Sequence, residues 1–184
     1  TVVRIPGVGE ENWIVFSRSG KRKGNGGIFL AHFASLKSDG RAWSQASKPI
    51  QRNTQEFYFY AVETSNHPGG SSALGSLLLV GNECSSPETC EGHIHIYDVS
   101  RPLSPKRIQT LAVAQEAEAR QYGHHTLRST ASSVAAVKLI DGRTLVYVGG
   151  PGSGKYGWFY VSDAKELSGS TTWQFMNVFY SEEY

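Results

Sequence analysis

His93 and His95 stand two positions apart in the run His93-Ile94-His95-Ile96. On an extended strand, positions i and i+2 share one face, so this spacing sets two imidazoles side by side. Such a pair binds zinc or copper when a third ligand approaches. Without one, it lines a solvated sheet face while Ile94 and Ile96 turn to a core. His67 and Glu83 flank the neighbouring strand-forming stretch, and His124 opens the adjacent pair His124-His125. His67, Glu83, His93, His95 and His124 are therefore the candidate ligand-binding residues.

Other motifs carry less chemistry. Gly149-Gly150-Pro151-Gly152-Ser153-Gly154-Lys155-Tyr156 has the G-x-x-x-x-G-K spacing of a phosphate loop, but Tyr156 stands where Ser or Thr would hold magnesium. A phosphate loop also runs into a helix whose N-terminus faces the anion, whereas Tyr156–Ser162 reads as a strand. A glycine-rich hairpin loop is the expectation there, without nucleotide or cofactor. No serine sits in G-x-S-x-G, and no D-x-[DN]-x-[DN]-G calcium loop occurs. Carboxylates such as Glu63 and Glu83 are present, but nothing fixes a pair at the ~5–9.5 Å that glycoside hydrolysis uses. No catalytic residue is assigned.

Cys84 and Cys90 are the two cysteines, separated by Ser-Ser-Pro-Glu-Thr. The polar, turn-forming spacer fits a local disulfide closing a surface loop, which would require an oxidising compartment. The alternative is two free thiols. Neither the spacing nor the number of thiols fits a zinc ribbon or a C-x-x-C redox motif. Arg18, Lys21, Arg22 and Lys23 form a basic cluster. Aromatic residues do not interleave with it, so nucleic-acid binding is not expected; a solvated hairpin loop is the simpler reading. Trp13, Trp43, Trp158 and Trp173 either stack on sugars or fill the space between sheets, and the high average burial of tryptophan favours the second.

The elements that must position these residues are strands. Short runs rich in Val, Ile, Tyr, Phe and Trp recur at 12–17, 27–33, 57–63, 77–82, 93–99, 133–140, 144–149, 156–162 and 173–180, a composition suited to a pleated surface. Turn residues separate them, and Asp141-Gly142 between two apolar runs is a hairpin signal. Helix signals are few. Leu111–Gln121 has helical propensity but a poor apolar stripe, leaving helix and long loop both open. Asp163-Ala-Lys-Glu166 fits a single capped turn. The 184 residues suffice for one ordinary domain. At 18% charged and 11% aromatic, the chain is neither globally disordered nor a coiled coil. No apolar run is long enough to span a membrane as a helix, and a net charge of +2 implies no nucleic-acid partner. The second strands of three successive units begin at 27, 93 and 156, a loose repeat of the kind that propeller blades produce.

Tyr97-Asp98-Val99-Ser100-Arg101-Pro102-Leu103-Ser104-Pro105 resembles the outward-strand phrase [I/V]YD[V/L]S-x-P-x-x-P of secreted bacterial β-propeller proteins of unassigned function. Asn66-His67-Pro68-Gly69-Gly70 is similar to the blade opening of that group, and Ala135–Gly150 followed by Trp158-Phe159-Tyr160-Val161-Ser162 looks like its next blade. The resemblance covers most of residues 12–180. It implies an all-β fold: a propeller-like arc of antiparallel four-stranded blades, with a β-sandwich as the alternative. Residues 1–184 would supply about three blades as a single segment, against ~4–8 in closed propellers. The arc would therefore be incomplete alone, with a partner protein or a second copy closing it. Thr1–Ile5 and Trp173–Tyr180 would be the contact elements, because closure commonly joins first and last strands in one blade. The resemblance implies little about chemistry, since propellers host enzymes, lectins and scaffolds alike; the expected function is a secreted or periplasmic binding or scaffold module, with a carbohydrate or small molecule as a candidate ligand class. The alternatives are part of a propeller hydrolase or lyase, with His67, Glu83 and His124 in its funnel, or a lectin using exposed tryptophan.

Overall fold

The computed structural model describes residues 68–83, 91–101, 104–113, 130–150 and 156–179 in full, and 2–4, 12–18, 27–32, 57–61 and 180 as strand backbone. Every regular element among the described residues is a strand: β1 (Val2–Arg4), β2 (Asn12–Arg18), β3 (Gly27–His32), β4 (Phe57–Ala61), β5 (Pro68–Leu74), β6 (Leu77–Asn82), β7 (His93–Asp98), β8 (Lys106–Ala112), β9 (Ser133–Lys138), β10 (Thr144–Gly149), β11 (Tyr156–Ser162) and β12 (Trp173–Tyr180). They form three antiparallel sheets in plain sequence order, β1-β2-β3-β4, β5-β6-β7-β8 and β9-β10-β11-β12. The chain is all-β in these residues, and each sheet is a four-stranded meander.

Alternation along the strands sets the core between the second and third sheets. Leu79, Ile94, Ile96 and Leu111 face Val134, Ala136, Val146, Val148, Trp158 and Tyr160 in one buried cluster. Trp158 is fully buried and meets Tyr156 edge-on, with ring centroids 5.1 Å apart; Tyr160 leans on Phe175 at 5.6 Å. Aromatic pairs in such offset or edge geometries add to the burial of their area.

The two sheets stack strand on corresponding strand. At one edge β5 lies against β9: the Gly70 N–H donates to the Ser132 carbonyl at 2.7 Å, and the Ala136 N–H donates to Ser72 Oγ at 3.0 Å. Residue numbers rise together across this contact, so β5 and β9 run in the same direction. At the other edge β8 meets β12: Trp173 Nε1 donates to Gln109 Oε1 at 3.0 Å, and Gln109 Nε2 donates to the Thr171 carbonyl. The β5–β9 edge is narrow, closed by backbone on backbone. The β8–β12 edge is wide and holds the larger side chains. The gap is narrow because glycine stands where a side chain would intrude. A Cβ on Gly81 would lie 2.3 Å from the Ala131 carbonyl oxygen, and one on Gly92 would lie 2.4 Å from Thr130 Cα.

The second sheet is buried on both faces. Leu78, Val80, Asn82, His95 and Tyr97 occupy its other side in cross-strand rows, and the first sheet approaches there through β1 and β2 against β5.

Several expectations change. Asp141-Gly142 does turn the β9–β10 hairpin: Gly142 has φ +87°, and Asp141 accepts from the Arg143 N–H at 2.9 Å. Asp163 does not cap a helical turn. Its carboxylate instead accepts from the N–H and hydroxyl of Thr172 at 2.9 and 2.6 Å, pinning the β11–β12 connection. Leu111 and Ala112 end strand β8; the rest of the 111–121 stretch, beyond Val113, lies outside the described residues. The first and last strands do not share a sheet. β1 pairs β2 and β12 pairs β11, each completing a sheet that already has four strands.

Candidate functional site

The alternating strand directions give the second and third sheets two unlike ends. At one end, tight links join β5 to β6 and β9 to β10. At the other, β5, β7, β9 and β11 begin and β6, β8, β10 and β12 finish. Asn82, Glu83, Glu91, Gly92, His93, Thr130, Gly150 and Tyr156 all fall at this second end, by register or by position in the chain. Of the residues singled out in the sequence, Glu83, His93 and Tyr156 belong to this end of the stack.

Register builds the site. Asn82 lies directly opposite His93, and Val80 lies opposite His95, so Asn82, His93 and His95 share a face. The two imidazoles stack nearly parallel, with centroids 6.3 Å apart and 4° between planes. His95 Nδ1 shares a hydrogen bond with Thr110 Oγ1 at 3.0 Å, and Tyr97 meets the His95 ring edge-on at 6.4 Å. His93 Nε2 lies 3.8 Å from Glu91 Oε2, and both side chains are partly open to solvent. Asn82 is buried, and its Oδ1 finds no hydrogen-bond partner among the described residues.

The two histidines have different chemistry. Burial, the Arg107 charge and neighbouring His93 push the His95 pKa down from 6.5 to about 4, because an imidazolium loses its hydration there. At neutral pH His95 is a neutral ring held by Thr110, serving structure. His93 sits nearer the open end, with Glu91 beside it and the Asn82 amide across the strand pair. A carboxylate and an amide thus flank the His93 imidazole, Glu91 at 3.8 Å and Asn82 opposite it in the strand pair, all groups that exchange hydrogen bonds with polar molecules.

The face carrying His93 and His95 was expected to be solvated. It is buried at His95, which is only 2% exposed, because the second sheet has neighbours on both sides. His93 and His95 come together as expected. Glu83 follows β6 at the same end and is half-buried. His67, His124, Cys84 and Cys90 lie outside the described residues. Among the described residues no group of three His, Cys, Asp or Glu side chains could hold a metal ion. Tyr156 opens strand β11, not the helix that a phosphate loop requires. Of the tryptophans whose side chains are described, Trp158 is inside the core and Trp173 is half-buried and bonded to Gln109. No described helix is long and apolar enough to cross a membrane.

Sequence reasoning missed Asn82, Glu91 and Thr110. Asn82 had a readable signal, since an amide ending the apolar run Leu77-Leu78-Leu79-Val80-Gly81 has no reason to be there for packing alone. Glu91 and Thr110 become neighbours of the histidines only through the pairing of β6, β7 and β8. In comparisons with known proteins, no family, no curated protein and no solved structure matches the chain.

Proposed function

We propose that the chain is a β-propeller-type binding and scaffold module, secreted or periplasmic. Its ligand, a carbohydrate or a small polar molecule, meets the end of the sheets where Asn82, Glu91 and His93 gather. One observation carries the reading. The second and third sheets are like-ordered four-stranded meanders, stacked with first strand on first strand and last on last, narrow at one edge and wide at the other. Wedge-shaped stacking of this kind is what radial repetition of blades requires. The buried Asn82 Oδ1, without a partner among the described residues, supports the placement of the site, because a desolvated amide oxygen costs about 1–3 kcal/mol unless something pairs with it.

The test is a thermal-shift screen of mono- and oligosaccharides and small polar metabolites against the parent chain, Asn82→Ala and His93→Ala. The reading requires ligands that raise the melting temperature of the parent and lose that effect in both variants. Ligands that stabilise all three proteins alike would move the site elsewhere. Turnover of a glycoside or ester that disappears in His93→Ala would replace a binding module with an enzyme.

A further inference from the structure

The groups around Asn82 share one hydrogen-bonding sense. Asn82 is 5% exposed, and its oxygen, Oδ1, is buried without a partner among the described residues. An amide oxygen only accepts, so its complement is an N–H or O–H donor. Asn82 lies opposite His93, a pairing that sets Cβ atoms about 4.5–5.5 Å apart. Glu91 Oε2 lies 3.8 Å from His93 Nε2. An ionised carboxylate also only accepts, and its two oxygens offer about four lone-pair sites, more than one neighbour uses. A buried acceptor and an open one thus flank a single imidazole.

Charge along the stack points the same way. Among the residues described in full, the carboxylates of Glu83 and Glu91 stand at this end, and no lysine or arginine does. Arg101, Lys106, Arg107, Lys138, Arg143 and Lys165 all lie at or near the opposite end, where β7, β9 and β11 finish. Four carboxylates accompany them there: Asp98, Asp141, Asp163 and Glu166. The field of such a divided arrangement favours a cation at the Asn82 end and opposes an anion.

We propose that the site formed by Asn82, Glu91 and His93 takes a primary ammonium group carried by a small molecule, with one N–H donated to Asn82 Oδ1 and another to the Glu91 carboxylate. The proposal rests on the binding reading above and narrows its ligand class. An ammonium has three donors and no lone pair to add to a site already rich in acceptors. A hydroxyl has one donor, so it serves one acceptor at a time, whereas a single ammonium nitrogen serves both. Its bond to the carboxylate is charge-assisted on both sides, the stronger kind. Asn82 Oδ1 is closed to water, so the ammonium reaches it as the partly open His93 ring turns aside. The ligand then supplies the partner that water does not.

Isothermal titration calorimetry of the 184-residue chain with glucosamine, glucose, N-acetylglucosamine and butylamine is the test. The sugars share a ring and carry an ammonium, a hydroxyl and a neutral amide at one carbon. Glucosamine should bind about 10-fold or more tightly than the other two sugars. Glu91→Gln should remove that preference while the circular dichroism spectrum stays that of the parent. Butylamine binding that Asn82→Ala abolishes shows that the ammonium alone suffices; glucosamine binding without butylamine binding shows that the ring is held as well, and either result keeps the proposal. Equal affinity for the three sugars overturns it; if that common binding is lost in Asn82→Ala and His93→Ala, the binding-module reading stands without it. A preference for glucosamine that survives both Glu91→Gln and Asn82→Ala also overturns it, because amine recognition then lies elsewhere. No heat from any probe overturns it too, and the wider screen of saccharides and polar metabolites then decides the binding-module reading on its own.

Discussion

Gly81→Ala probes the narrow edge between the second and third sheets most directly. The added Cβ would sit 2.3 Å from the Ala131 carbonyl oxygen and 3.0 Å from Val134 Cγ2. Ordinary contact begins near 3.4 Å, so the overlap with backbone oxygen is about 1 Å, and no rotamer relieves it. Ala131 cannot retreat freely. The next residue accepts from the Gly70 N–H at 2.7 Å and donates to the Gly149 carbonyl at 3.1 Å, tying the segment to both sheets. Overpacking of this kind costs about 1–3 kcal/mol, and weakening one of the two bonds adds about 1 kcal/mol. The less flexible unfolded chain of the alanine variant offsets about 0.4–1 kcal/mol. The net expectation is a loss of about 2–3 kcal/mol, or roughly 5–10 °C in melting temperature for a chain of this length. Gly75→Ala is the control. Gly75 has φ +58° and nothing within 4 Å of a built Cβ, so it reports left-handed strain alone, about 1 kcal/mol. Urea denaturation of both variants with unchanged m-values gives the comparison. If Gly81→Ala loses no more stability than Gly75→Ala, the close-approach account of this edge is wrong.

Three further outcomes follow from the same structure. His95 has a lowered folded pKa of about 4 against 6.5, so the unfolded chain binds the extra proton first. Its contribution, at most about 3 kcal/mol, is complete above pH 6.5 and fades as pH falls toward 4; His95→Asn should flatten that slope in pH-dependent urea melts, and an unchanged slope would refute it. Gln109→Ala removes both side-chain bonds at the wide edge and should lower stability by about 1–2 kcal/mol with a red shift in tryptophan emission; emission and stability equal to the parent's would deny those bonds a role. Titration with ATP and magnesium should give no saturable signal below millimolar, since a strand begins at Tyr156; a micromolar isotherm lost in Lys155→Ala would reverse this.

The strand class was legible because β-branched and aromatic runs of six to eight residues carry their own signal, and β6, β10, β11 and β12 run as their composition predicts. β5 was not legible. Pro68-Gly-Gly-Ser-Ser-Ala-Leu74 has the composition of a turn, and it is extended because it pairs with β6 and packs against β9, where a Cβ on Gly69 or Gly70 would meet the backbone of 131–133. β8 was obscured by the helical propensity of the residues that follow Leu111. The histidine pair was read correctly as sharing one face, and the reading of that face as solvated fails at His95, which is 2% exposed, while His93 stays partly open. Polar–apolar alternation in a strand predicts a wet side only when the sheet has one neighbour. In a stack, both faces are interior, so alternation separates two interfaces and says nothing about solvent. That is why His95, Asn82 and Ser72 sit on strands, polar and away from bulk water, each answering to a different neighbour. Ser72 bonds the backbone of the next sheet, His95 bonds Thr110 within its own, and Asn82 Oδ1 bonds no described residue. Of these three polar positions, only the one at the end of the stack where β6 finishes has a side-chain oxygen without a partner among the described residues.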